Sequence, residues 1–274
     1  MCRSSDDGGR RCLDHRHLRE VDVDDLRPAA TDDAPDVDWG EHPPSTAELY
    51  DTYGSTVAGA AIHKLEEVAA IEPEITAAII DAAPSGCRMH NLEYRMKSPA
   101  SLAGKIESRI LVDPTATPVE ITGRLTDFVR YTVVAPTPDR VVPAAQETLE
   151  GLVAKGWEVK EIEHSFVDGN PYKGLHSIVV HHSETDQDVE IQFHSEAGAA
   201  IKDRYHHDYE TLRDQTQPYP TRAAAHTTMV NAWNIVPTPP GLVDLHIGSV
   251  VAVEKAYGPP TPPTPPRPYQ DGLR

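Results

Sequence analysis

The chain has 274 residues and a formal net charge of −18, with 43 acidic residues against 25 Lys and Arg. That length suits one ordinary domain with tails, and that charge repels a phosphate backbone. DNA and RNA are therefore poor partners, while a small phosphorylated ligand in a local basic pocket stays open. Cys2, Cys12 and Cys87 make no disulfide framework, no apolar run reaches membrane-spanning length, and the N-terminus lacks a signal-peptide core; the expected compartment is the cytoplasm, with export by another signal left open.

Residues 1–44 are rich in Asp, Arg and Pro without apolar periodicity, which predicts a disordered acidic arm. Within it, "CLDHRH" sets Cys12, His15 and His17 close together, one ligand short of a usual zinc site. Residues 45–86 are helical in pattern, with a break expected near Pro73. "NLEYRMK" alternates with period two, so Leu92, Tyr94 and Met96 should face one way and Arg95 and Lys97 the other. Ser98 then reads as an N-cap with Pro99 in the first turn, and Ser101 and Lys105 share a face of the helix that follows. A strand end and a helix N-terminus could thus present Arg95, Lys97, Ser101 and Lys105 to one anion. Taken alone, this segment reads more simply as an ordinary basic surface.

Further on, "DFVRYTVVA", "WEVKEIEHSF", "LHSIVVHH" and "DVEIQFH" are strand candidates, and "PAAQETLEGLVAKG" is an amphipathic helix stopped by Gly156. "SEAGAAIKDRYHHDYETLRD" reads as one helix, "TRAAAHTTMVNAWNIV" as another, and "HIGSVVAV" as a short strand. Residues 237–274 form a proline-rich tail. The middle of the chain therefore reads as a single α/β domain around a mixed sheet.

Three places on these elements could carry chemistry. Asp127 heads an apolar strand, as a metal carboxylate or as a partner for nearby Arg130. Val189, Ile191 and Phe193 should face the core, which puts Glu190, Gln192 and His194 together on the other face, either solvated or catalytic. "DGNPYKGLHS" brackets Tyr172, Lys173 and His176 with glycines, as a hairpin with a half-buried tyrosine or as a loop whose tyrosine stacks on a base. The pairs His181-His182 and His206-His207 read as solvated.

Taken in order, these segments resemble the synthetase domain of the RelA/SpoT family, the ppGpp-type alarmone synthetases, over residues 88–213. The family's R-x-K, serine and lysine pattern is matched by Arg95, Lys97, Ser101 and Lys105. Its strand aspartate is matched by Asp127, its Tyr-x-x-x-His loop by Tyr172 and His176, and its E-x-Q strand by Glu190 and Gln192. His194 stands where the family has an arginine, Arg130 comes early and should lie on the face opposite Asp127, and the lysine-rich loop before the tyrosine is missing. These departures resemble the divergent branch of secreted nucleotide pyrophosphokinases and toxin-type synthetases, in which the final helix carries residues like His206, Tyr209 and Arg213.

The resemblance implies a nucleotidyltransferase-like mixed β-sheet flanked by helices. It places N-terminal helices at 45–86 and a synthetase domain at 87–236. It implies an enzyme that moves the β,γ-pyrophosphate of ATP to the 3′-hydroxyl of a purine nucleotide. Arg95, Lys97, Ser101 and Lys105 would bind ATP, and Asp127 and Glu190 would be catalytic and hold Mg²⁺. Tyr172, Lys173, His176, Gln192 and His194 would contact the acceptor. No hydrolase signature precedes Cys87, so product should be made and not degraded. Guanine and adenine acceptors are not distinguished. Toxin-like relatives also modify tRNA 3′ ends, which the net charge argues against, and a non-catalytic nucleotide-binding module is the rival outside enzymes. No oligomer signal is present.

Overall fold

The computed structural model describes residues 21–181 and 186–262. Cys2, Cys12, His15, His17, His182 and the end of the proline-rich tail lie outside them. The chain divides into two compact units. The first runs to Ala77 and resumes at Leu92–Arg130; the second takes Ala78–Asn91 and runs on from Tyr131.

The first unit is helical. Its long helix α1, Thr46–Ala82, continues five residues into the second unit's range. Leu65, Val68, Ile75 and Ile79 recur on one buried stripe with helical spacing. The kink falls at Gly54 (φ 74°, ψ 165°), and Pro73 is accommodated inside the helix, contrary to the expected break. Glycine reaches that backbone conformation without a Cβ clash, whereas Pro73 only removes one N–H from the ladder. Helix α2, Pro99–Val112, buries Leu102, Ala103 and Ile106, and at Gly104 it approaches Tyr53 of α1 closely: a Cβ there would stand 3.5 Å from the phenol oxygen. Helix α3 is the short capped turn Pro118–Thr122.

Residues 21–44, expected as part of a disordered arm, are packed within this unit. Val23, Leu26 and Val37 are buried. The Arg27 guanidinium lies 4.6 Å over the Trp39 ring and bonds the Val37 carbonyl, and Trp39 Nε1 donates to the Met96 carbonyl at 3.2 Å. A few large side chains and backbone contacts hold a stretch whose average composition reads as unstructured. "NLEYRMK" is likewise not a strand: Leu92–Tyr94 is a 3₁₀ turn with Tyr94 exposed, and only Met96 bridges Val129.

The second unit is mixed α/β, as expected, with a six-stranded sheet flanked by helices. The strands are β1 (Arg88–Met89), β2 (Val129–Ala135, entering from the first unit), β3 (Glu158–His164), β4 (Leu175–Val180), β5 (Val189–Ser195) and β8 (Val253–Glu254), in the order β1-β2-β5-β4-β3-β8. Pairings β1–β2, β3–β4 and β4–β5 are antiparallel, and β3–β8 is parallel. Helix α4, Val141–Ala154, ends at Gly156 (φ 92°), the expected stop. The segment read as one helix is two, α5 (Glu196–Arg204) and α6 (His206–Arg213), parted at Tyr205. This turn lets α6 pack on α7, Tyr219–Trp233. "HIGSVVAV" supplies a small hairpin, β6 (His246–Ile247) with β7 (Val250–Val251), and then the first residue of β8.

Candidate functional site

The predicted residues collect into two clusters, one in each unit. In the first unit, the Lys97 N–H donates to the Phe128 carbonyl at 2.9 Å, which draws Lys97 alongside the chain entering β2. Ser98 caps α2 as predicted, its Oγ accepting from the Ser101 N–H at 3.3 Å. The cap fixes where α2 starts and so where Lys105 emerges. Three cations converge on Asp127: Lys97 Nζ at 3.1 Å from Oδ2, Lys105 Nζ at 2.6 Å from Oδ1, and Arg130 Nη2 at 3.4 Å from Oδ2. Arg130 thus meets Asp127 instead of facing away, because Asp127 precedes the regular strand and alternation does not yet apply.

Burial acts to raise the Asp127 carboxyl, but the summed pull of Lys97, Lys105 and Arg130 holds it below its ordinary value. Burial lowers the Lys97 ammonium, against the pull of Asp127 and with the push of Arg130 and Lys105. The two directions agree on a crowded cationic pocket in which two ammonium groups share one ionised carboxylate. Such a pocket suits a polyphosphate. Ser101 lies in the first turn of α2, its hydroxyl oxygen accepting from Ser98 Oγ at 2.9 Å.

Arg95 does not join them. It is 3% exposed and paired with Glu72, itself 0% exposed, through Nε to Oε1 at 2.6 Å. Its Nη1 donates to the carbonyls of Pro35 at 2.6 Å and Leu92 at 2.9 Å. These bonds tie α1 to the N-terminal segment. The sequence reading missed Glu72, although an acid in step with Leu65, Val68, Ile75 and Ile79 is a sign of a buried partner.

In the second unit, β5 is buried on both faces, so Glu190, Gln192 and His194 are not on a solvated face. Glu190 Oε1 accepts from Gln192 Nε2 at 2.8 Å and lies 3.1 Å from His176 Nδ1. Lys202 of α5, not anticipated, donates to Gln192 Oε1 at 2.7 Å and to Thr132 Oγ1 at 3.3 Å. The Tyr172 hydroxyl lies 2.9 Å from both His176 Nε2 and His194 Nε2. The Tyr172 ring is packed against His176, His194, Trp233 and Tyr209 at centroid distances of 5.5, 5.7, 5.2 and 5.9 Å. Buried this way, Tyr172 anchors an aromatic cluster and leaves little ring surface for a base. Lys173 is buried as well. His181, read as solvated, is buried edge-on against Trp157 at 5.5 Å, whereas His206 and His207 are exposed as expected.

Gly174 makes this cluster sterically possible. A Cβ there would stand 2.7 Å from His176 Nε2, 2.9 Å from the Tyr172 hydroxyl and 3.0 Å from His194 Cε1. Gly174→Ala is expected to part the Tyr172–histidine contacts and destabilise the fold by about 1–3 kcal/mol, read in a denaturant titration; an unchanged midpoint contradicts this packing.

Burial drives the His194 imidazole well below its ordinary value, and the charges of Lys202, His176 and His90 push the same way. The folded chain therefore keeps His194 neutral, and it offers no charge to a phosphate in place of the family's arginine. Below about pH 6.5 the unfolded chain binds a proton that the folded chain refuses, so stability falls as pH drops through that range. Thermal melts from pH 7 to 5 should show the wild type losing more stability than His194→Gln. Equal losses would remove His194 as the cause.

No protein-family model matches the chain, and a search of curated proteins finds no match. Among solved structures, the chain is similar to the small alarmone synthetase 1 from Bacillus subtilis, with 17% identity, 54% of this chain and 72% of that one covered, and a TM-score of 0.37. It is similar to the Type VI effector Tas1, solved with its immunity protein, with 21% identity, 65% and 93% covered, and a TM-score of 0.35. It is also similar to smu.1046c from Streptococcus mutans UA159, with 16% identity, 69% and 90% covered, and a TM-score of 0.38. Among the described residues, no helix is long and apolar enough to cross a membrane.

Proposed function

We propose that the chain is a nucleotide pyrophosphokinase that transfers the β,γ-pyrophosphate of ATP to the 3′-hydroxyl of a purine nucleotide. The observation that carries this reading is the convergence of Lys97 and Lys105 on the single ionised carboxylate of Asp127, in a sequence frame that resembles an alarmone synthetase. In this reaction the 3′-oxygen forms a bond to the β-phosphorus, the bond from that phosphorus to the α-β bridging oxygen breaks, and AMP leaves. The proton of the 3′-hydroxyl goes to a base.

Lys97 and Lys105 bind the triphosphate and balance its charge, and Ser101 is placed at the helix start to donate to it. Glu190, oriented by Gln192 and His176, accepts the hydroxyl proton. Lys202 fixes the Gln192 amide and so the direction in which Gln192 faces Glu190. Arg95 acts at a distance, by holding α1 and the N-terminal segment in place.

Asp127 and Glu190 offer the hard oxygen ligands that Mg²⁺ takes, and among the described residues no cluster of three or more His, Cys, Asp or Glu forms an all-protein metal cage. Either carboxylate suits a Mg²⁺ that keeps water and substrate phosphates in its shell. Bound there, the ion would neutralise charge on the phosphates.

The reading is tested by incubating the purified chain with γ-labelled ATP and Mg²⁺ beside GDP, GTP, ADP, ATP or deacylated tRNA, and separating the products by chromatography. Label in a purine nucleotide supports the proposal and names the acceptor. Label confined to tRNA, or no transfer in any tube, contradicts it.

A further inference from the structure

We propose that Tyr257, on the segment that follows β8, is the surface on which the acceptor's purine base stacks. This rests on the pyrophosphokinase reading and moves the base subsite outside the stretch that resembles the family. The motif tyrosine, Tyr172, is 9% exposed and enclosed by four rings, whereas Tyr257 is 37% exposed.

The segment that carries Tyr257 is held at several points. Glu163 pairs with Val253 and His164 with Glu254, and the Lys255 N–H donates to the His164 carbonyl at 2.8 Å. Asn170, in the loop between β3 and β4, closes the clamp. Its Nδ2 donates to the carbonyls of Ser165 and Lys255, both at 2.9 Å, and its Oδ1 accepts from the Tyr257 N–H at 2.8 Å. Asn170 is itself buried. A buried side chain with three backbone bonds fixes where Tyr257 stands.

Tyr257 and Lys255 share a recess with His176, Gly174, His164 and Glu163. His176 is the residue that faces Glu190, so the recess adjoins the proposed base. The Lys255 ammonium is ion-paired with Glu163 in the wall of this recess. Burial raises the Tyr257 phenol, with Lys255 opposing and Tyr209, Glu163 and Glu190 adding to the rise, which keeps the ring neutral at ordinary pH. A neutral, clamped, partly open aromatic ring that shares a recess with His176, the partner of the proposed base, offers a stacking platform to either purine, because every base has a π-face.

The test uses the full chain with its ATP site filled by a non-hydrolysable ATP analogue, and titrates GDP and ADP separately by calorimetry. Tyr257→Ala is expected to weaken acceptor binding about 5- to 100-fold, the range for loss of one stacked base. Tyr257→Phe should restore affinity to near that of the unchanged chain, and the KM for ATP should stay within about twofold in both variants. Tyr257→Ala binding as tightly as the unchanged chain overturns the assignment. So does Tyr257→Phe binding as weakly as Tyr257→Ala, since that would place the contact at the hydroxyl. If the unchanged chain binds neither nucleotide, the pyrophosphokinase reading falls as well; if it binds and Tyr257→Ala changes nothing, only the Tyr257 assignment falls.

Discussion

Asp127→Ala and Glu190→Ala should each abolish pyrophosphate transfer while leaving the fold intact. Glu190 is the proposed base, and loss of a positioned base costs about 10²–10⁴-fold in rate. Its loss also takes a partner from His176 and from the Gln192 amide, so orientation goes with basicity. Loss of Asp127 acts differently. It removes the one carboxylate between Lys97 and Lys105, and with it a proposed ligand for Mg²⁺. ATP binding should survive in Asp127→Ala, because both lysines remain to meet the phosphates, while turnover disappears. Circular dichroism and a binding titration separate these effects from unfolding. A Glu190→Ala chain with full activity would remove that residue from the chemistry.

Glu72→Ala should be the most destabilising single change among the residues discussed. The Glu72 carboxylate holds the Arg95 guanidinium at 2.6 Å in a place where both are sealed from water, and it also bonds the Thr76 hydroxyl. Removing one partner of a buried pair leaves an uncompensated charge, at a cost of about 3–5 kcal/mol. The Pro35 and Leu92 carbonyls still accept from Arg95 but carry no full charge to balance it. The expected result is a melting temperature lower by about 10 °C or more. Replacing both residues, Glu72→Leu with Arg95→Met, should recover most of the loss, since apolar groups of similar volume remove the buried charge altogether. A shift of less than about 1 kcal/mol in Glu72→Ala contradicts the pairing.

Much of the frame is legible in the sequence because it depends on local patterns. Runs rich in β-branched and aromatic residues mark β2 to β5, the Ser98-Pro99 pair marks the start of α2, and Gly156 marks the end of α4. The convergence of Lys97 and Lys105 follows from that cap together with the Lys97–Phe128 backbone bond, not from the strand expected at Lys97. Contacts between distant residues leave no such trace. Arg95 fits the phosphate pattern by spacing, yet Glu72, 23 positions earlier, claims it. Tyr172 sits between glycines like a loop residue, but Trp233 and Tyr209 from later helices enclose it. The polar face of β5 alternates as a solvated strand would, and only the packing of α5 and the β4 side chain His176 shows that it is covered. Residues 21–44 have the composition of a disordered arm, and a tryptophan, an arginine and three apolar side chains outweigh that average.

The measurement closest to the central claim is the stoichiometry of transfer. With purified chain, Mg²⁺, ATP and the preferred purine nucleotide, AMP and the 3′-pyrophosphorylated product are quantified together over time. One AMP per product, with no ADP formed from ATP, is the predicted result. ADP and free phosphate in place of AMP, or AMP without any pyrophosphorylated nucleotide, would contradict pyrophosphate transfer and the roles given to Asp127 and Glu190.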